Sequence, residues 1–267
     1  MQPSPIIIYG AARSGTTYLT YLLNRHPDIF ITNEARLFNW VYRSLIDLPQ
    51  HENLVRHHRD EFVSHLRTRY PDLIREFYQQ LRPTVQYWGD KNPHYAAPAV
   101  QGCLNTIEQL FPGTRFINII RDGRDVVTSG LRGKWTDFDS VHEMWTTHLD
   151  IGCKFGRALP ATQYFEMRYE RLVRDDLAMA HRLFEFLQIP IAKPVIEFCM
   201  QQMKKRTPYC SPSRDIQDGA TGSDWARVLT PAQQLRSLEL IGDRLAAFGY
   251  ETADSLSQLQ QDLKKVL

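Results

Sequence analysis

The stretch Ile6–Leu23, IIIYGAARSGTTYLTYLL, sets a turn of small residues between an apolar run and a helical period. Small side chains let successive backbone N–H groups point inward, and the helix that follows adds about half a positive charge at its N-terminus. This is the chemistry of an anion cradle. Against the phosphate-loop pattern G-x-x-x-x-G-K-[ST], Gly10, Gly15 and Thr17 fall into register, but Thr16 stands where the lysine belongs. The loop therefore lacks the usual grip on β- and γ-phosphates, while Arg13, inside the turn, offers a planar fork to a terminal anionic group. An ordinary strand-to-helix turn is the plainer alternative. Against it, RSGTT combines five suited residues directly after an apolar run.

A second unit, RFINIIRDGRDVVTSG, repeats the arrangement, with Arg121 at the carboxyl end of its apolar run and Ser129 eight residues on. Groups at the carboxyl ends of strands in a doubly wound sheet face the ligand crevice. Arg121 and Ser129, about two helical turns apart, are then able to hold one anion from two directions; a salt bridge from Arg121 to Asp122 or Asp125 is the alternative. Two neighbouring anion sites suit a nucleotide with two separated phosphate groups.

These residues need a scaffold. Apolar runs at Pro5–Tyr9, Ile29–Thr32, Val85–Trp88, Arg115–Ile120 and Gln163–Met167 predict strands, and helical periods lie at Thr16–Asn24, Leu37–Ile46, Leu54–Leu81, Ala96–Leu110, Asp122–Leu131, Ser140–Arg157 and Asp176–Leu187. Strands alternating with helices imply βαβ units and a mostly parallel sheet. The expectation is a three-layer α/β/α domain spanning 1–267 as one unit. Residues 53–82, long and mixed in charge, predict an inserted helical cap, and residues 204–227, rich in Pro and Gly, predict a lid loop.

Composition narrows the function. A chain of 267 residues, 43% hydrophobic, buries a sizeable core, and 32 basic against 30 acidic side chains leave a net charge of +2, so no global field argues for nucleic acid or a membrane surface. The start MQPSPIII has no basic leader and no run approaches a membrane span, which predicts a soluble, cytoplasmic protein. Cys103, Cys153, Cys199 and Cys210 form no C-x-x-C pair and read as packing residues. His51, His57, His58 and His65 lack the spacing of a helical zinc site, Trp88, Trp135 and Trp145 read as core, and Trp40 and Tyr42 are candidates to face an acceptor ring.

The pair GAARSGTT and RDGRDVVTSG resembles the 5′-phosphosulfate loop and the 3′-phosphate motif of sulfotransferases that use 3′-phosphoadenosine 5′-phosphosulfate (PAPS). That resemblance explains the missing lysine. Within the superfamily, HPDIFITNEAR, DKNP, YERLV, FLQIP and FGY resemble the tyrosylprotein sulfotransferases, and the likeness runs from about Ile6 to Tyr250. It implies a P-loop-like fold in which Arg13, Ser14, Gly15, Thr16 and Thr17 bind the 5′ end, Arg121 and Ser129 bind the 3′-phosphate, and Tyr169 lines the nucleotide. It further implies Glu34 as catalytic base, Arg36 in the acceptor site, and Lys91 and Ser213 as transition-state stabilisers, with 3′-phosphoadenosine 5′-phosphate (PAP) as product and no metal.

The residues themselves agree. Glu34 follows the second strand at the crevice edge, where a carboxylate takes the proton of an attacking hydroxyl; capping the helix near Leu37 is the alternative. Lys91 neutralises charge growing on the oxygen between phosphorus and sulfur, or else is a plain surface cation. The acceptor is a hydroxyl or phenol: peptide tyrosine, or a carbohydrate, lipid or metabolite hydroxyl. Several positions depart from the family pattern. Gly133 stands where the family has an arginine, with Arg132 one position early; the loop from Ser213 to Trp225 is shorter; Asp224 replaces a nucleotide-binding lysine, for which Arg227 is a substitute; and Thr32 and Asp90 replace two cysteines of the lumenal family, which fits a reducing compartment. A P-loop kinase would need a lysine and Mg²⁺ ligands not found here, and a non-catalytic nucleotide-binding protein would have no use for Glu34 together with Lys91.

Overall fold

The computed structural model describes residues 4–47, 58–134, 137–205 and 225–267. Five parallel strands, β1 (Ile6–Tyr9), β2 (Ile29–Asn33), β3 (Tyr87–Lys91), β4 (Arg115–Ile120) and β5 (Tyr164–Arg168), pair in the order β2-β3-β1-β4-β5. Side chains alternate across a strand, so Ile6 and Ile8 enter one hydrophobic cluster and Ile7 and Tyr9 another on the opposite face. Because both faces are covered, β1 is apolar at every position rather than alternating. Burying each such side chain contributes roughly 1.5–3 kcal/mol.

On the Ile6 face lie α1 (Thr16–Leu23), α7 (Tyr169–Arg174), α8 (Asp176–Leu187) and α9 (Lys193–Lys205). The Ile7 face carries α2 (Leu37–Ile46), α3 (Arg59–Leu81) and α4 (Cys103–Leu110). A third cluster joins α5 (Gly123–Arg132) and α6 (Phe138–Arg157) to α11 (Pro231–Ala247) and α12 (Ala253–Val266). The single turn α10 (Trp225–Val228) rests on α5, where Arg124 lies over the Trp225 ring and the Trp225 N–H donates to Asp125. This is the expected P-loop-like three-layer architecture. The helix foreseen within residues 53–82 is present as α3, tied to the core through Ile74 and Tyr78.

Three boundaries differ from the sequence pattern. The third strand lies not at Val85–Trp88 but at Tyr87–Lys91, because β3 is hydrogen-bonded to β1 on one side and β2 on the other, and pairing on both sides overrides the weak strand preference of Gly-Asp-Lys. Gly89 is required there: a Cβ would stand 1.8 Å from the Ile6 carbonyl oxygen. The helix expected from Ala96 starts at Cys103, since Pro93 and Pro98 open short 3₁₀ turns at Pro93–Ala96 and Pro98–Val100 first. The expected loop 204–227 begins inside α9 and ends inside α10; its middle, including Ser213 and Asp224, lies outside the described residues.

Candidate functional site

The chain leaves β1 toward β2 and leaves β3 toward β4, on the other side of β1, so a crevice opens at the carboxyl ends of these strands. A cleft of about 450 Å³ sits there, lined by Arg13, Gly15, Thr16, Thr17, Glu34, Lys91, Arg121, Ser129 and Tyr169, all expected from the sequence. Ala12, Tyr18, Tyr21 and Pro93 complete the wall. Tyr21 was legible in principle, since it follows Thr17 by four residues on α1 and shares its face.

The loop after β1 is shaped for an anion. Helix α1 opens on Gly15 at φ +93° with no side-chain cap and no acidic residue in its first turn, so its first N–H groups are free of internal competition. A Cβ at Gly15 would meet the Tyr169 ring at 2.3 Å, which shows how closely that ring covers the loop. Ser14 is turned inward, fully buried, and its Oγ has no hydrogen-bond partner among the described residues.

Arg121 directly follows β4 and binds the loop rather than the aspartates expected as its alternative partners. Its Nη1 donates to the Arg13 carbonyl oxygen at 2.9 Å, its guanidinium lies 4.5 Å from the Tyr169 ring centroid, and its Nε is buried with no hydrogen-bond partner among the described residues. Asp122 is occupied elsewhere: it caps α5 through the Arg124 N–H and pairs with the Arg124 guanidinium at 2.7 Å. Ser129, two turns along α5, accepts from Arg13 Nε at 2.9 Å. Arg13 thus touches both candidate anion sites. Glu170 joins the same region from below, accepting the Asp122 N–H at 2.9 Å; burial, with Asp122 adding to it, pushes its carboxyl up to about 7. Glu170 follows Tyr169 as Asp122 follows Arg121, so this bond fixes two site residues relative to each other, a role sequence patterns do not reveal.

Lys91 is no surface cation. Its side chain is 1% exposed, and its ammonium donates to Glu34 Oε1 at 2.7 Å and to Thr17 Oγ1 at 3.2 Å. Glu34 likewise does not cap α2: that helix starts after Arg36 at φ +58° without a side-chain cap, and Glu34 itself sits at φ +60°. Both left-handed residues belong to one bend that turns the Glu34 carboxylate over the end of β3. His94 lies in the same electrostatic neighbourhood, its pKa lowered mainly by burial, with Glu34 opposing that shift and Arg36 and Lys91 adding to it.

Some expected residues stand apart from the cleft wall. Arg36 is exposed beside it, Arg132 is exposed at the end of α5, and Arg227 is exposed on α10. Trp40 is 71% exposed, but Tyr42 is committed to structure, donating to the Gln101 carbonyl oxygen at 2.7 Å. Trp88 and Trp145 are core residues as expected, and Trp135 lies outside the described residues. Cys103, Cys153 and Cys199 are buried free thiols, each raised by burial to about 12 and so unreactive. His58 is an exposed partner of Glu61 on α3. Among the described residues no group of three or more His, Cys, Asp or Glu gathers as metal ligands do, and no helix is long and apolar enough to cross a membrane.

Comparison with known proteins agrees with this geometry. The chain matches the model of the Sulfotransferase family over residues 5–193 and belongs to that family. A putative protein-tyrosine sulfotransferase of Caenorhabditis briggsae is 24% identical across 94% of this chain and 90% of its own length. Protein-tyrosine sulfotransferase A of Caenorhabditis elegans is 25% identical over 69% of this chain, which matches half of that longer protein. Among solved structures, the sulfotransferase domain of the Synechococcus PCC 7002 olefin synthase superposes with a TM-score of 0.63 at 22% identity, covering 94% of this chain and 96% of the domain. A mouse sulfotransferase complexed with PAP superposes with a TM-score of 0.53 at 14% identity, covering 98% and 89%.

Proposed function

We propose that the chain is a PAPS-dependent sulfotransferase, working as one domain over 1–267, that sulfates a hydroxyl or phenol with Glu34 as base. One observation carries this reading: the residues of two candidate anion sites, a carboxylate and a buried ammonium line a single cleft at the carboxyl ends of β1, β3 and β4. The donor set fits the nucleotide, because Arg121 Nε and Ser14 Oγ are buried polar atoms lacking partners among the described residues and the cleft volume falls in the range of ligand sites. Bound PAPS supplies an activated sulfonate.

The chain's own residues do the rest. The Gly15–Thr17 amides and Arg13 hold the 5′ end, Arg121 and Ser129 hold the 3′-phosphate, and the Tyr169 ring packs against the nucleotide. Glu34 accepts the acceptor's proton. Lys91, fixed between Glu34 and Thr17, holds the base in place and offers its charge to the departing oxygen, so catalysis is mostly positioning and charge stabilisation. Ser213, Arg227 and Arg36 complete the reading as a further stabiliser, a nucleotide ligand and an acceptor contact. A cytoplasmic setting is supported by Thr32 and Asp90, which share a hydrogen bond of 2.6 Å where the lumenal family has cysteines.

The acceptor class is decided by incubating labelled PAPS with lysate fractions and identifying the labelled product by mass. Two tyrosine sulfotransferase relatives favour peptide tyrosine; a labelled sugar, lipid or metabolite would replace that choice. Label that appears equally with the wild type and with Glu34→Ala removes Glu34 from the mechanism.

A further inference from the structure

We infer that Asp90 is a positioning residue for the reaction: its buried carboxylate, by accepting the Ala35 N–H, holds the left-handed bend that aims Glu34. The inference rests on the reading of Glu34 as the base.

Asp90 is fully buried, yet it is not spent on an ion pair. Lys91, the adjacent cation, directs its ammonium to Glu34 and Thr17 instead. The Asp90 carboxylate is saturated by other donors: Oδ1 accepts from Thr32 Oγ1 at 2.6 Å and from the Ala35 N–H at 3.2 Å, and Oδ2 accepts from Tyr95 O–H at 2.5 Å. A buried acid is costly unless its lone pairs are met in this way. Thr32 is directly opposite Asp90 in the β2–β3 register, and its Oγ1 also lies 2.7 Å from the Tyr78 hydroxyl, so the acid is braced from α3 as well.

What the carboxylate gains by this bracing is a fixed acceptor just beyond the last paired residue of β2. The register ends at Asn33 opposite Lys91. The chain then bends with Glu34 at φ +60° and Arg36 at φ +58°, a conformation unfavourable for residues with a Cβ. Besides the Lys91 ammonium on the Glu34 side chain, two bonds from β3 hold the backbone of the bend: Glu34 N–H to the Lys91 carbonyl oxygen at 2.7 Å, and Ala35 N–H to Asp90. Of these two backbone bonds only the second is made to a side chain, so only it is open to a clean substitution. Without it the segment has reason to relax toward extended backbone, carrying the Glu34 carboxylate off Lys91.

The test compares wild type, Glu34→Ala, Asp90→Ala and Asp90→Asn in transfer of label from PAPS to the acceptor-containing lysate fraction, together with PAP affinity by calorimetry. Asp90→Ala is expected to lower the rate at saturating PAPS by about 10–100-fold, the scale set by an ångström of misplacement, with KM for PAPS and PAP affinity unchanged. Asp90→Asn keeps an acceptor oxygen for Ala35 and Thr32 while its amide faces a Tyr95 oxygen able to accept, and is expected to restore most of the rate. A wild-type rate in folded Asp90→Ala, or an equal loss of PAP affinity, overturns the inference. If Asp90→Ala does not fold, Thr32→Val decides: a lower rate with intact PAP affinity supports the inference, and a wild-type rate overturns it. An inactive Glu34→Ala beside a fully active Asp90→Ala sinks the Asp90 role alone, whereas a fully active Glu34→Ala sinks both.

Discussion

Glu34 and Lys91 form a salt bridge of 2.7 Å, the glutamate 39% exposed and the lysine buried. Such a pair fixes the direction of the proposed base, whose side chain lines the cleft. Glu34→Gln keeps the shape and removes the basicity, so kcat for sulfate transfer is expected to fall by roughly 10²–10⁴-fold, while PAP affinity measured by calorimetry stays within twofold (about 0.4 kcal/mol). Arg121 makes the complementary case. Its Nε has no hydrogen-bond partner among the described residues, the proposed 3′-phosphate would supply one, and charge-assisted hydrogen bonds contribute about 1.5–3 kcal/mol. Arg121→Ala is therefore expected to weaken PAP binding by about 10–100-fold, and equal affinity in the variant would remove Arg121 from the nucleotide site.

At the scale of elements, the site depends on how closely α7 approaches the start of α1. Gly15 at φ +93° leaves no room for a Cβ under the Tyr169 ring. Gly15→Ala both strains the backbone, by about 1–2 kcal/mol, and displaces the ring that covers the loop. The expectation is at least tenfold weaker PAP binding (about 1.4 kcal/mol) with an unchanged far-UV circular dichroism spectrum; a tightly binding alanine variant would show that Tyr169 does not bear on the nucleotide. The Glu170–Asp122 bond works at the same scale, tying the first turn of α7 to the N-cap of α5.

For the whole molecule, two groups shifted by desolvation, buried His148 and half-buried Glu170, pull the pH profile of stability in opposite directions. His148 is lowered to about 4, by burial first and by His94 second, from an ordinary value of 6.5. Its contribution is full above 6.5 and is lost as pH falls through 4. Glu170 is raised from 4.5 to about 7, so its contribution is full below 4.5 and is lost as pH rises through 7. The two trends offset each other across mildly acid pH. Glu170→Gln keeps an acceptor for the Asp122 N–H and abolishes only the second trend. Its melting temperature relative to wild type is expected to rise steadily between pH 4.5 and 7, and a constant difference across that range would show that Glu170 does not titrate there.

Much of this protein was legible before folding. The two small-residue turns after apolar runs marked candidate anion sites because local backbone geometry, not distant packing, makes an anion cradle; six of the cleft residues followed from those motifs, and Glu34, Lys91 and Tyr169 from the family resemblance. The βαβ rhythm gave the layers for a similar reason: periodicity reports which face of each element is buried. Other features existed only in three dimensions. Gly89, Asp90 and Lys91 have no strand-like sequence, and become a strand because β1 and β2 pair with both of its edges. The plainer alternatives for Glu34, Lys91 and Arg121 were settled by contacts between residues 57 and 108 positions apart, which no local pattern encodes. Asp90 and Glu170 were silent in the sequence for the same physical reason: a buried acid is read by the donors that converge on it, and those donors come from strands and helices that only the tertiary structure brings together.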